Sequence, residues 1–237
     1  MIVYGKNVYS QLKNDPAAIE KIYILKGLTD QRIWKSVKEL NVPYEVCSKQ
    51  TLDKLSKNET HQGIVCKVKE IPTYSVETLV AKAKKPGLLV ALDGIQDPHN
   101  VGAILRTCDC AGVDGVILCK HNSAGLTPAA IKASTGAVYT VPVSIVTNMN
   151  QTLKSLKEQG YWIVGTDMVN ARDYREGMYD VPTVLVIGNE GKGISPIVKK
   201  QCDYMVTLPM AGQIQSLNAS VACGILLYEI FSQRNPL

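Results

Sequence analysis

Long apolar runs are missing from this chain. The longest, such as 221–227, contain Cys and Gly and fall well short of the roughly 20 residues that span a bilayer. The opening MIVYGKNVYS lacks the basic-then-apolar profile of a secretion signal, so a cytoplasmic protein with no membrane partner is expected. A disulfide framework is missing too: seven cysteines at irregular spacing suit reduced thiols. Cys108 and Cys110 form the only close pair, and no second pair or nearby His completes a zinc set. They read as small hydrophobes on a helix, and no metal is expected. Internal repeats and low-complexity tracts are also absent.

Two nucleotide-binding signatures fail as well. A dinucleotide fold needs G-x-G-x-x-G after its first strand and an acid about 20 residues later, and the stretch 92–115 has no such glycines. A Walker A loop needs Gly-Lys followed by Ser or Thr to hold magnesium. In GNEGKGIS (188–195) Lys192 is followed by Gly193, and no Gly stands five residues before Gly191.

What is present is an ordinary globular composition, 46% hydrophobic and 20% charged over 237 residues, enough for one large or two modest domains. The net charge of +5 is unevenly spread. Residues 1–85 carry 15 Lys/Arg against 9 Asp/Glu, and residues 86–237 carry 11 against 12. The basic first part suits a polyanion partner, with Lys6, Lys13, Lys21, Lys26, Arg32, Lys35 and Lys38 as phosphate contacts; a solvated Lys-rich surface gives the same count.

Runs 19–25, 43–48 and 63–68 read as strands, and 31–40 and 51–58 as helices, which makes a small α/β unit over 1–70. Residues 71–87 read as a linker carrying a short helix that Ser75 caps and Pro86-Gly87 stops. From 88 to 237, strand-like 88–94, 115–120, 161–167, 183–190 and 204–209 alternate with helices, the last helix over 216–234. Nearly continuous apolar strands between helices indicate a parallel sheet covered on both faces. Polar and Gly residues collect in the loops 93–100, 188–195 and 209–216, at the strand ends where open α/β sheets bind ligands.

Those loops carry a family resemblance. LDGIQDPHNVGAILRTCDCAG (92–112), VLVIGNEGKGIS (184–195) and LPMAGQIQSLNASVACGILLYE (208–229) resemble, in order, the three motifs of the SpoU (TrmH-type) RNA 2′-O-ribose methyltransferases of the SPOUT superfamily. The resemblance covers about residues 88–234. YGKNVYSQLK (4–13) and HQGI (61–64) are similar to the ribosomal-protein-like RNA-binding domain of the subgroup that modifies a guanosine ribose in 23S ribosomal RNA. It implies a C-terminal trefoil knot, S-adenosylmethionine as methyl donor, RNA as substrate and a homodimer with its site at the subunit interface. A tRNA substrate, or an RNA-binding assembly factor without activity, are the alternatives.

The resemblance also implies site residues, each with a plainer structural role beside it. Asn100 belongs to the active site, or simply caps the following helix. Arg106 lies off the apolar face of that helix. It pairs with Asp109 for about 0.3 kcal/mol, or clamps an RNA phosphate and activates the ribose hydroxyl; arginine is a poor resting base. Glu190 orders a cofactor pocket whose members are Thr166, Ile187, Gly188, Asn189, Gly191, Leu208, Met210 and Leu217. Backbone near Leu208 and Leu217 would hold the adenine, and Gly188 would let the ligand approach. Ser216 and Asn218 lie by the reacting centre, with Ser216 also placed to cap the last helix. Ala219 stands where many members carry Val. His99 and His121 are isolated, with no acid or nucleophile at a telling distance.

Overall fold

The computed structural model describes every residue except Asp15, Val169, Gln215 and Leu237, and leaves the side chains of Asn7 and Gln11 aside. Parts of YGKNVYSQLK and of the third motif therefore lie outside the described residues. The chain divides into two compact units, Met1–Ile71 and Pro72–Leu237.

The first unit is a four-stranded sheet. Its strands are β1 (Ile2–Tyr4), β2 (Ile19–Leu25), β3 (Tyr44–Cys47) and β4 (Ile64–Val68), in the order β1-β4-β2-β3. β2 runs parallel to β3 and antiparallel to β4. Helices α1 (Lys6–Leu12) and α2 (Gln31–Glu39) cover one face, where Tyr9, Ile22, Ile24, Val37 and Ile64 are buried together. α3 (Lys49–Leu55) packs Leu52 against Val65 on the other. The HQGI stretch turns into β4. His61 Nδ1 accepts from the Gly63 N–H at 3.0 Å, which leaves Nε2 to donate to Asp53 at 3.0 Å. Gly63 has φ +85°, and a Cβ there would lie 2.7 Å from Leu28 Cδ1.

The second unit opens with α4 (Val76–Lys82), capped by Ser75, whose hydroxyl accepts from Thr78 N–H at 3.2 Å. Residues 72–87 pack within this unit: Leu79 is buried in its core and Thr73 pairs with Val143. Seven parallel strands follow: β5 (Leu88–Asp93), β6 (Gly115–Cys119), β7 (Val143–Val146), β8 (Trp162–Thr166), β9 (Arg172–Asp173), β10 (Thr183–Gly188) and β11 (Tyr204–Thr207). Their order in space is β7-β6-β5-β10-β8-β11-β9. β5, β6 and β10 are buried almost throughout, as their unbroken Leu, Val and Ile runs require. β7 and β9 had no counterpart in the sequence reading.

One face of the sheet packs on α4, α8 (Met149–Glu158) and α9 (Pro196–Lys199) through Leu79, Leu153, Leu156 and Val198. On α5 (Pro98–Cys110), Val101, Ile104, Leu105 and Cys108 are buried, as are Cys223, Leu226, Leu227 and Ile230 on α10 (Ala219–Arg234). α6 (Pro128–Ala133) and α7 (Ala137–Thr140) lie against α5. β10, made after β8, returns to the middle of the sheet, and α10 comes back to pack on α5. Its far end is pinned: Arg234 donates to the carbonyls of Tyr179 (2.6 Å), Pro86 (2.8 Å) and Val181 (2.8 Å).

Candidate active site

A cavity of about 560 Å³ opens at the C-terminal ends of β8, β10 and β11. Thr166 ends β8 on its wall; Ile187 and Gly188 end β10, followed by Asn189, Glu190 and Gly191. Leu208 and Met210 come from the segment after β11, and Ser216 and Leu217 from the approach to α10. All eight positions expected to hold the cofactor thus border one cavity, together with Glu190 and Ser216. Asn100, Arg106 and Asn218 do not line it.

Within the β10 loop the glycines have different work. Asn189 and Gly193 exchange two backbone hydrogen bonds of 3.0 and 2.9 Å. A Cβ on Gly188 would lie 2.3 Å from the Gly193 carbonyl carbon and the Ile194 nitrogen. On the side a Cβ would occupy, Gly188 is packed by the loop's own backbone, while the residue itself borders the cavity. Beside Gly191 the nearest atom to such a Cβ is Asn189 Oδ1 at 3.7 Å, so the open approach is there. The Asn189 side chain holds the loop from within. It donates to the Gly94 carbonyl at 2.8 Å and accepts from the Gly191 and Lys192 N–H groups, both at 3.0 Å.

The first motif corrects two expectations. Asp97, and not Asn100, caps α5, accepting from the His99 N–H at 2.8 Å, with Pro98 as the first helical residue. Asn100 is the third residue of α5, 5% exposed, and donates from Nδ2 to Glu190 Oε1 at 2.8 Å. Residues 90 positions apart are thereby joined at the cavity. Arg106 is exposed on α5, but the expected pair with Asp109 is not formed. Asp109 instead accepts from the Thr140 hydroxyl at 2.6 Å. Among the described residues Arg106 has no hydrogen-bond or ion-pair partner.

In the third motif the last helix begins at Ala219 and not at Ser216, and its cap is Asn218. The Asn218 Oδ1 accepts from the Ser220 N–H at 2.9 Å and the Ser220 hydroxyl at 2.6 Å. Ser216 remains in the cavity wall, outside the helix. Residues 210–214 and 216 are exposed, and their peptide groups have no hydrogen-bond partner among the described residues.

The sequence reading missed several wall residues, notably Asp167, Lys192, Lys199 and Leu226. Asp167 had a signal, being the polar residue that follows the apolar run of β8; Lys199, on a four-residue helix, had none. The seven basic residues named for RNA are unequal. Lys6 is paired with Asp30 at 3.0 Å, Lys21 with Glu45 at 2.7 Å and Lys35 with Glu39 at 3.9 Å. Each pair is at least partly exposed, and the Asp30 and Glu45 carboxyls are drawn below the usual range first by the hydrogen bond from their lysines.

A parallel sheet with its cavity at the strand ends, built from three separated loops, places a ligand site where open α/β sheets bind, and comparison with known proteins gives its class. The profile of the SpoU rRNA Methylase family matches residues 87–228, and that for RNA 2′-O ribose methyltransferase substrate binding matches residues 2–74. The chain belongs to the SpoU (TrmH-type) family of RNA methyltransferases. A Staphylococcus haemolyticus protein, provisionally described as a TrmH family tRNA/rRNA methyltransferase, is 40% identical over all of this chain and 97% of its own. The SpoU methyltransferase AviRb from Streptomyces viridochromogenes, solved with AdoMet, superposes with a TM-score of 0.70 at 26% identity, covering 99% of this chain and 90% of that one. A TrmH/SpoU tRNA modifying enzyme of A. aeolicus gives a TM-score of 0.59 at 36% identity, over 67% of this chain and 83% of its own.

Proposed function

We propose that this enzyme transfers the methyl group of S-adenosylmethionine to the ribose 2′-hydroxyl of a guanosine in 23S-type ribosomal RNA, as a cytoplasmic homodimer. The cavity carries this reading: one hollow at the strand ends gathers every residue that the family motifs assign to the cofactor. Its volume suits a ligand of that size. The group fits the residues present, with Leu208, Leu217 and Leu226 for the adenine faces, unpaired peptide groups after Leu208 for its polar edge, and Glu190 for the sulfonium side.

When bound, S-adenosylmethionine supplies a methyl on a sulfonium. The protein's part is alignment and electrostatics. Asn100 holds the Glu190 carboxylate at the cavity, so its charge faces the side where positive charge is carried. Arg106, exposed and without a carboxylate partner, is assigned to an RNA phosphate next to the reacting ribose. Ser216 stands in the cavity wall, and Asn218 caps α10 two residues on. The first unit, matched to the substrate-binding profile, binds RNA through phosphates. The dimer is supported by α10, whose outer side leaves Val221, Ile225, Tyr228 and Phe231 between 38% and 52% exposed. The A. aeolicus tRNA modifying enzyme corresponds to only two thirds of this chain, which favours ribosomal RNA.

Transfer of tritiated methyl groups to total RNA, followed by mass-spectrometric mapping of 2′-O-methyl positions, tests the reading. Label on one guanosine of large-subunit RNA is expected. Label in tRNA would move the substrate, and label in no RNA would overturn the activity.

A further inference from the structure

A second recess, of about 560 Å³, lies wholly within the first unit, and none of its residues belongs to the sequence motifs. It opens where β2 and β3 begin and β4 has ended. Pro16, Ala17, Leu40, Val42 and Pro43 give it an apolar wall. Backbone bonds set its shape. α2 closes with the Leu40 N–H on the Ser36 carbonyl at 3.1 Å, and Asn41 then takes φ +40°, a left-handed turn that Asn tolerates better than most side chains. The Pro43 carbonyl accepts from the Ile22 N–H, and the Ala18 carbonyl from the Lys69 N–H, both at 2.9 Å. The recess is therefore present before any ligand arrives.

Three exposed polar side chains complete the lining: Glu39, Asn41 and Lys69. Among the described residues the Asn41 amide and the Lys69 ammonium have no hydrogen-bond or ion-pair partner, and Glu39 meets only Lys35, at 3.9 Å. A phosphate alone would be repelled by the Glu39 carboxylate. An apolar wall with a mixed polar edge suits a flat heterocycle, and the ammonium suits a phosphate attached to it. A splayed-out nucleotide of single-stranded RNA carries both, and the substrate-binding profile spans every residue of the recess. Glu39 narrows the choice of base. In a lysine-rich unit, a carboxylate helps bind RNA only by accepting from a base. Guanine alone offers two adjacent N–H groups, N1–H and N2–H, to the two oxygens of one carboxylate. The Asn41 amide can donate to its O6.

We propose that this recess holds an unstacked guanine of the RNA, with Glu39 and Asn41 on its edge and Lys69 on its phosphate. This rests on the reading of the first unit as the RNA-binding part. It adds base readout to a unit otherwise credited with phosphate contacts, which position without specifying sequence.

Fluorescence anisotropy with the full chain and three single-stranded RNA decamers tests it: all uridine, uridine with one central guanosine, and the same with inosine, which lacks the 2-amino group. The guanosine decamer should bind about 10-fold more tightly than the uridine one, the scale of a bidentate base contact, with inosine between them. Glu39→Gln should melt as the unaltered protein does and lose most of the guanosine preference; Asn41→Ala should lose part of it. Lys69→Met should weaken all three decamers alike and lower the salt slope by about 0.7, the worth of one single-strand phosphate. A Glu39 that is only a surface charge gives the opposite result, tighter binding of all three decamers in Glu39→Gln with the preference kept, and that would overturn the proposal. Equal binding of the guanosine and uridine decamers by the unaltered protein would overturn it too. A protein that binds none of the three would bring down the RNA-binding reading itself, a result distinct from the other two.

Discussion

Arg106 stands on the open side of α5 with no carboxylate against it, and a guanidinium in that state keeps its five N–H donors for a phosphate. Truncation removes donors that only the RNA complex would use. Arg106→Ala should therefore lower methyl transfer by 100-fold or more, on the order of one lost charge-stabilising contact, while calorimetric cofactor affinity stays the same. Parallel loss of cofactor binding in a folded protein would sink the assigned role. Of the three residues read as helix caps from sequence, Ser75 holds its place, and the other two show where such reading stops. Asn100 and Ser216 each precede a helical run, but Asp97 and Asn218 hold the cap positions. Asn100 and Glu190 were both legible as site residues through their motifs, but the hydrogen bond that joins them across 90 positions was not. Spacing along a chain carries no record of a contact made by the fold.

α5 owes its place to a missing side chain. A Cβ on Gly102 would lie 2.4 Å from the Ala130 carbonyl oxygen and 2.9 Å from the Ser134 nitrogen, so α6 touches α5 backbone to backbone. Alanine would favour the isolated helix by about 1 kcal/mol, but backbone cannot rotate away, and overpacking costs about 1–3 kcal/mol. Gly102→Ala should lower the melting temperature by several degrees in a thermal scan; a rise would contradict the close contact. At the far end of α10, Arg234 donates to four carbonyls, and burial draws its guanidinium below its usual pKa, with Asp114 and Asp180 pulling the other way. Arg234→Met leaves the Tyr179 and Pro86 carbonyls without a donor, while Val181 keeps the Thr183 hydroxyl. A loss of about 2–4 kcal/mol in urea unfolding is expected. The elements themselves were largely legible: the five apolar runs from 88 onward are β5, β6, β8, β10 and β11. β7 was missed because it is four residues long, follows Pro142 and leaves Ile145 exposed at the sheet margin. Neither a continuous apolar run nor an alternation marks it.

For the molecule as a whole, the apolar outer side of α10 sets the expected assembly. A charge at its centre would be solvated in a single chain and buried in a pair. Tyr228→Arg, at a position 52% exposed, should leave the circular dichroism unchanged and give a monomer in analytical ultracentrifugation; a dimer of unaltered strength would place the contact elsewhere. Strand composition foretold a parallel sheet covered on both faces, but it held no trace of the spatial order. That order has a consequence during synthesis. β5, β6 and β7 neighbour one another and can pair as soon as they leave the ribosome. β8 cannot, because both of its neighbours, β10 and β11, are still to be translated. Pairing between strands distant in sequence is slow, so a nascent chain halted near residue 180 would present the Trp162–Thr166 segment with two bare edges. The ligand hollow, walled by the last strands and by α10, is the final part to exist, and only a completed chain can acquire it.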